Sequence, residues 1–348
     1  MSYPNKYTAL LNELKNKDSK NDLHPNSRVL VIDGLNTFIR SYAASPVTNE
    51  NGEHVGGISG TLLSIGHAIK AINPTRVIVV FDGKNGSAKR RQLFSEYKAN
   101  RKVKIRLNRP EAVDGEDNQL QQLMRLVEYL DVLPVTTVVL DNAEADDIIA
   151  YMVESCFHKE GEQVYIMSSD KDFYQLVSKD VIVWSPTKKK LYFEQDVFDE
   201  YGIYPTNFVT YRALLGDKSD NIGGVDGIGE KTIQTKFGLL AESSKVTIEE
   251  LLDFAKTNVG NGKTYQTLVD HEDILRRNIE LMQLSESNLN LSIKMRIMEL
   301  VDKPIERTAR INFHRMLIED QMTTAIKNVD MWLKEVTTKL DMFALQTQ

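Results

Sequence analysis

Four apolar runs rich in β-branched residues mark the first half of the chain: Val29 to Ile32, Val77 to Phe81, Val135 to Leu140 and Val164 to Met167. Runs of that length and composition predict buried strands. Between them the apolar positions recur at helical spacing. Asp33 to Ser41 is a turn entering a helix, and a glycine-rich loop from His54 to Gly60 leads to a helix from Thr61 to Ile72 that Asn73 and Pro74 end. Leu120, Leu123, Met124, Val127 and Leu130 form the apolar side of a helix from Asp117 to Leu133, and another helix covers Asp147 to Phe157. Strands alternating with helices give an α/β core, a mostly parallel central sheet with helices on both faces.

The pattern continues with a strand at Gln163 to Met167, a short helix after Lys171, a strand at Val181 to Trp184 and a hairpin through Pro186 to Lys190 into Leu191 to Phe193. Helices follow at Glu194 to Tyr201 and Asn207 to Leu215. From Gly216 strand signals disappear. Glu230 to Phe237, Ile248 to Ala255 and Tyr265 to Leu284 read as helices, with more after Pro304. The chain thus divides into an N-terminal helical appendage at 1–25, whose Tyr7, Leu10, Leu11 and Leu14 share a face, a core at 26–214 and a helical lobe at 215–348.

Composition narrows the class. A length of 348 residues fits one sizeable core plus a smaller unit. No apolar run approaches bilayer length, and the charged N-terminus does not resemble a signal peptide, so a cytoplasmic protein is expected. Cys156, the single cysteine, excludes an internal disulfide and a multi-thiolate metal site. The formal net charge of −6 hides an asymmetry, because between Lys84 and Arg109 ten basic residues face the single acid Glu96, giving +9. A solvated basic face is the plain account of such a run. Its place just after Asp82, with Phe94 and Tyr97 among the charges, also fits a surface that meets phosphates and stacks on bases, unless those rings anchor it to the core.

The candidate chemistry lies at the ends of the strand-like runs. They deliver Asp33; Asp82; Glu144, Asp146 and Asp147; and Asp170 and Asp172, while Asp217 and Asp220 stand three apart. In an open parallel sheet the C-terminal strand ends lie on one side, where sites form. One hard divalent ion uses about six oxygen ligands, so these nine acids suit two ions better than one. Oxygen-only clusters favour Mg²⁺ or Mn²⁺. Two such ions about 4 Å apart acidify an attacking water and neutralise phosphoryl oxygens, which suits hydrolysis of a phosphate ester. No Walker loop, metal-spaced histidine pair or nucleophile elbow offers a rival. Later, Gly224, Gly227 and Gly229 permit a tight backbone path that seats a phosphate on amides or a monovalent cation on carbonyls, or is simply an interhelical turn.

With VIDG at Val31, FDGK at Phe81, YKANR at Tyr97, EADD at Glu144, SSDKDFYQL at Ser168 and LLGDKSDNIGGVDGIGEKT at Leu214, the sequence resembles the 5'-nuclease or flap endonuclease superfamily. WSPTKKK at Trp184, the acidic balance and the helical C-terminal part look most like a T4-type phage ribonuclease H. The resemblance implies a PIN-like nuclease core with a helix-three-turn-helix lobe. It assigns one metal cluster to Asp33, Asp82, Glu144 and Asp146 and another to Asp170, Asp172 and Asp217, with Asp147 and Asp220 tuning or sharing ligands. It also implies an arch or clamp over the site at 83–114. There Lys98 and Arg101 contact the scissile phosphate or guide a single strand, and Arg90 or Arg91 assists. Gly227, Gly229, Lys231 and Thr232 are expected to hold duplex DNA with bound K⁺. Gly223 and Asp226 stand where the family often has proline, and Asp226 adds negative charge beside that contact.

The expectation is a monomeric 5'-3' exonuclease or 5'-flap endonuclease, dependent on Mg²⁺ or Mn²⁺ and acting on branched or nicked DNA and RNA–DNA hybrids. Its expected role is removal of RNA primers during phage replication. A sliding clamp, met by the C-terminal DMFALQTQ, or a single-strand DNA-binding protein is the expected partner. A single-strand endoribonuclease and a non-catalytic nucleic-acid-binding protein are the alternatives.

Overall fold

The computed structural model describes residues 24–99, 115–157, 159–285 and 288–346. The helix expected near the N-terminus and residues 100–114 of the expected arch, Arg101 among them, lie outside them. Five parallel strands, β1 (Arg28–Asp33), β2 (Arg76–Asp82), β3 (Thr136–Leu140), β4 (Gln163–Met167) and β5 (Val181–Ser185), and the antiparallel β6 (Lys190–Tyr192) form one sheet in the order β3-β2-β1-β4-β5-β6. Val31 pairs with Ile78 on one side and Ile166 on the other, so β1 is central, and every residue of it is buried. The pleat sorts its side chains alternately. Val29 and Val31 join one core, Leu30 and Ile32 the other.

The helices in chain order are α1 (Gly34–Ala44), α2 (Gly56–Ile72), α3 (Ala88–Leu93), α4 (Gly115–Asp131), α5 (Ala145–Tyr151), α6 (Glu194–Tyr201) and α7 (Phe208–Leu215). They continue as α8 (Glu230–Lys236), α9 (Ile248–Asn258), α10 (Lys263–Asp270), α11 (Glu272–Met282), α12 (Leu291–Asp302), α13 (Arg310–Glu319) and α14 (Val329–Gln346). The Val29 core takes side chains from α5 and from α6 through α12. The Leu30 core takes them from α1, α2 and α4, and also Phe313, Leu317, Trp332, Leu333, Val336 and Leu340 from α13 and α14. The last two helices therefore return to the face opposite the other lobe helices. Among the described residues no helix is long and apolar enough to cross a membrane.

Three local expectations need correction. The glycines before Thr61 are not a loop but the first turn of α2. A Cβ on Gly57 would lie 2.6 Å from the Phe38 ring and one on Gly56 2.2 Å from the Ser45 carbonyl, so these glycines let α1 and α2 approach. The side-chain oxygen of buried Gln122 accepts the Gly57 and Ile58 amides at 2.8 and 3.3 Å, satisfying the helix start. Tyr265 to Leu284 is two helices broken at His271, whose ring bonds the Thr267 carbonyl at 2.8 Å and competes with continuation of α10. Strand structure also reappears after Gly216, as a two-residue antiparallel ribbon of β7 (Gly216–Asp217) and β8 (Ile222–Gly223).

Candidate active site

Adjacent parallel strands bring Asp33 from the end of β1, Asp82 from the end of β2 and Asp170 just beyond β4 to one edge of the sheet. There they line an open cavity of about 970 Å³ together with Asp146 and Asp217. Arg40, Lys98, Lys171, Arg212 and Lys218 line the same cavity.

The carboxylates divide into two kinds. The first have neutral partners. Asp33 caps α1, accepting the Asn36 amide at 3.1 Å, and receives the Ser168 hydroxyl at 2.9 Å. Burial pushes its carboxyl up to about 7, and the charges of Asp82 and Asp170 add to the effect. Asp82 accepts the Ala145 amide at 2.9 Å. Burial, and next the charge of Asp33, lift Asp146 well above the ordinary range. Asp170 is raised by burial although it accepts the Asp172 amide at 2.9 Å.

The second kind is ion-paired. Glu144 pairs with both Lys98 and Arg90. Burial disfavours its charge, yet Lys98 and then Arg90 outweigh that and hold its carboxyl below the usual value. Asp147 takes a bidentate contact from Arg90 at 2.6 and 2.8 Å. Arg212 bridges Asp172, at 2.8 Å, and Asp217. Burial and the Asp170 charge still push Asp172 up to about 7. Asp217 also receives the Ser219 amide and hydroxyl at 2.6 Å and is held low despite burial. As the side chains stand, no three or more His, Cys, Asp or Glu among the described residues are grouped as a ligand set for a metal ion. Cationic side chains occupy part of the acidic surface instead.

Some of the expected site residues sit back from the cavity. Arg90 is not on the surface but 8% exposed, because its guanidinium is enclosed by Asp147, Glu144 and the Leu281 carbonyl. Asp147 faces Arg90 and Asn288 and does not line the cavity. Arg91 is exposed. Lys98 lines the cavity, and its backbone amide, at φ 55°, donates to the carbonyl of buried Asp220 at 2.9 Å. Tyr97 is 4% exposed and anchors this segment to the core.

Arg40, Arg212, Ser168 and Asn278 were not singled out from the sequence. Arg40 donates to the Ser169 hydroxyl, and Ser169 in turn meets Thr187 of the β5–β6 turn at 2.7 Å. The fully buried Asn278 donates to the carbonyls of Ala213 and Gly223 at 2.9 and 2.8 Å, locking the glycine turn onto α7. In that turn the Val225 amide donates to the Leu214 carbonyl at 2.8 Å, Gly227 has φ 73°, and Gly229 precedes α8. Gly227, Gly229 and Lys231 are exposed and Thr232 is half-buried.

Comparison with known proteins matches both parts of the chain. Residues 28–202 match the N-terminal resolvase-like domain of 5'-3' exonucleases and residues 203–307 their C-terminal SAM fold. The thermostable DNA polymerase I of Thermus thermophilus is 37% identical over 209 residues, which is 60% of this chain and only 23% of the polymerase. A 5'-3' exonuclease of Aquifex aeolicus is 34% identical over 212 residues, 60% of this chain and 69% of that protein. Among solved structures, a bacteriophage T5 flap endonuclease pseudo-enzyme–product complex with DNA and metal ions has a TM-score of 0.63 and 23% identity, covering 79% of this chain and all (100%) of that one. The sheet order, the helical second part and the two matched domains agree: the chain belongs to the 5'-3' exonuclease family of phosphodiester-cleaving nucleases.

Proposed function

We propose that this protein is a divalent-metal-dependent 5' nuclease that cuts near the junction of a free 5' strand with duplex, on flapped or nicked DNA and on RNA–DNA hybrids. The observation that carries the reading is the convergence of Asp33, Asp82, Asp146, Asp170 and Asp217 on one open cavity that Arg40, Lys98 and Lys171 also line. The donor set fits a hard cation. It is oxygen only, and burial raises the carboxyls of Asp33, Asp146, Asp170 and Asp172, so a bound cation would stabilise charges that the apo site disfavours. Asp33, Asp82, Glu144 and Asp146 would hold one ion and Asp170, Asp172 and Asp217 another. Bound ions supply an acidified water and neutralise charge on phosphoryl oxygens.

The chain's own groups do the rest. Ser168 and the Asn36 amide orient Asp33, while the Ala145 amide orients Asp82. Arg40, Lys98 and Lys171 attract the phosphates of the entering strand, and the Gly227–Lys231 turn, exposed at Gly227, Gly229 and Lys231, would hold the duplex on backbone amides and could take K⁺. Primer removal in phage replication, with a clamp or single-strand-binding partner, follows as the physiological role. The test compares matched 5'-flap substrates with DNA or RNA 5' strands, with Mg²⁺ and with chelator. Metal-dependent release of short 5' products is expected. Absence of cleavage on every substrate, or cleavage indifferent to chelation, overturns the proposal.

A further inference from the structure

Arg90 lies at the foot of the basic 84–109 stretch, yet every nitrogen of its guanidinium is committed inside the protein. Nε donates to the Leu281 carbonyl of α11 at 2.8 Å, Nη2 to Asp147 at 2.8 Å, and Nη1 to Asp147 at 2.6 Å and to Glu144. Asn288, in the connection from α11 to α12, donates to Asp147 at 2.8 Å and to the Gln283 carbonyl at 3.2 Å. Arg90 and Lys98 meet Glu144 and Asp147 as two cations against two anions, so this cluster is balanced. Glu144 is held by both oxygens: Oε2 by Arg90, and Oε1 by Lys98 with the Tyr97 hydroxyl at 3.4 Å. A guanidinium so enclosed cannot reach a strand phosphate without leaving buried Asp147 with no cation but only its Asn288 bond and Glu144 with Lys98 alone.

We propose that Arg90 is a positioning residue: it fixes the orientation of Glu144 behind the cavity and, through Leu281 and the Asn288–Asp147 bond, makes that orientation depend on the seating of the α11–α12 connection. This rests on Glu144 serving the divalent-ion site proposed above. A partner one step removed from a metal-binding carboxylate governs its aim without touching the ion or the substrate.

The test uses the full chain and the variants R90Q, R90K, N288A and R91Q. It measures Mn²⁺ affinity by calorimetry without nucleic acid, affinity for a labelled 5'-flap DNA in Ca²⁺, and the single-turnover rate at saturating DNA. R90Q is expected to weaken Mn²⁺ binding and slow turnover by about 10- to 100-fold while flap affinity stays within about threefold. R90K should recover part of both losses, N288A should move both in the same direction by less, and R91Q should instead weaken flap binding. Should R90Q prove unfolded by circular dichroism, R90K and N288A carry the test. The double variant R90M/D147L replaces the buried pair by apolar side chains. The proposal requires that it fold and still show the Mn²⁺ defect; wild-type Mn²⁺ affinity in it would reduce Arg90 to neutralising Asp147. A loss of flap affinity in R90Q with Mn²⁺ affinity and saturated rate unchanged would restore Arg90 to the strand and overturn the proposal. If the wild type cleaves nothing, the nuclease reading falls, while the Mn²⁺ affinities still decide what Arg90 does.

Discussion

Asp33 is held in place by an amide and a hydroxyl but given no cation of its own among the described residues. Its folded value of about 7 lies above the ordinary 3.8, so the native state retains a proton that the unfolded chain releases. The contribution of this group to stability is therefore fullest near pH 4, falls as pH rises, and is a fixed penalty above about 7. Asp172 runs the same way. Glu144 and Asp217, held low by their cations, contribute stability above the ordinary carboxylate range and lose it as pH falls through their lowered values. Asp33→Asn should stabilise the metal-free protein at pH 8 by on the order of 2 kcal/mol and flatten the decline between pH 5 and 8, read from urea unfolding in chelator at each pH. Equal profiles for variant and wild type would count against the assignment. Arg212→Gln leaves Asp172 and Asp217 without their shared cation and should destabilise by about 3 kcal/mol in the same assay; a neutral result would mean those carboxylates find other partners. Seven of the nine acids were legible because they follow runs that sequence alone marks as strands, and Asp217 and Asp220 by their spacing of three. Their ion pairs were not: Lys98 and Arg90 stood out in the sequence as phosphate contacts and not as partners of Glu144 and Asp147, and Arg212 declares itself only when Asp172 is brought beside it.

Elements were legible where one local rule decides. β4 and α6 have the expected bounds because a β-branched run and a helical apolar period leave no competing choice. The rule failed where tertiary contact sets the backbone. Glycine at 56 and 57 suggests a loop, yet it serves helix packing. Gly216, by contrast, is conformationally required, with φ at 74° and room for a Cβ only 2.3 Å from the Gly224 amide. Gly216→Ala should lower stability by at least about 2 kcal/mol and loosen the β7–β8 ribbon, measured by denaturant unfolding and by faster amide exchange at Gly223. Retention of both would show that the turn tolerates a side chain. The ribbon escaped the sequence because a two-residue pairing has no periodicity to detect.

At the scale of the molecule, two cores share one sheet, and α13 and α14 belong to the one remote from the rest of the helical lobe. The helices were readable from their apolar period but their side of the sheet was not, since an amphipathic stripe does not name the surface it covers. Trp332 packs on Phe313 with ring centroids 5.6 Å apart and is 6% exposed. Trp332→Ala should destabilise by about 3–5 kcal/mol, seen by thermal and urea unfolding, without changing the Mn²⁺ affinity of the folded protein; a loss of that affinity would tie α14 to the site. Mn²⁺ at about 100 times its dissociation constant should add about 2.7 kcal/mol to global stability, and no shift in the melting temperature would argue against ion binding in the native state. The place of α14 also bears on how the protein is made. A ribosome releases the matched exonuclease region before residues 310–346, so a nascent chain paused there has the edge that bears the acids and the α1, α2 and α4 cover of its second core, while the outer faces of α2 and α4 that Trp332 and Phe313 later cover still meet water. Completion of the second core therefore waits for α13 and α14, and the acid-bearing edge can form before that core is closed.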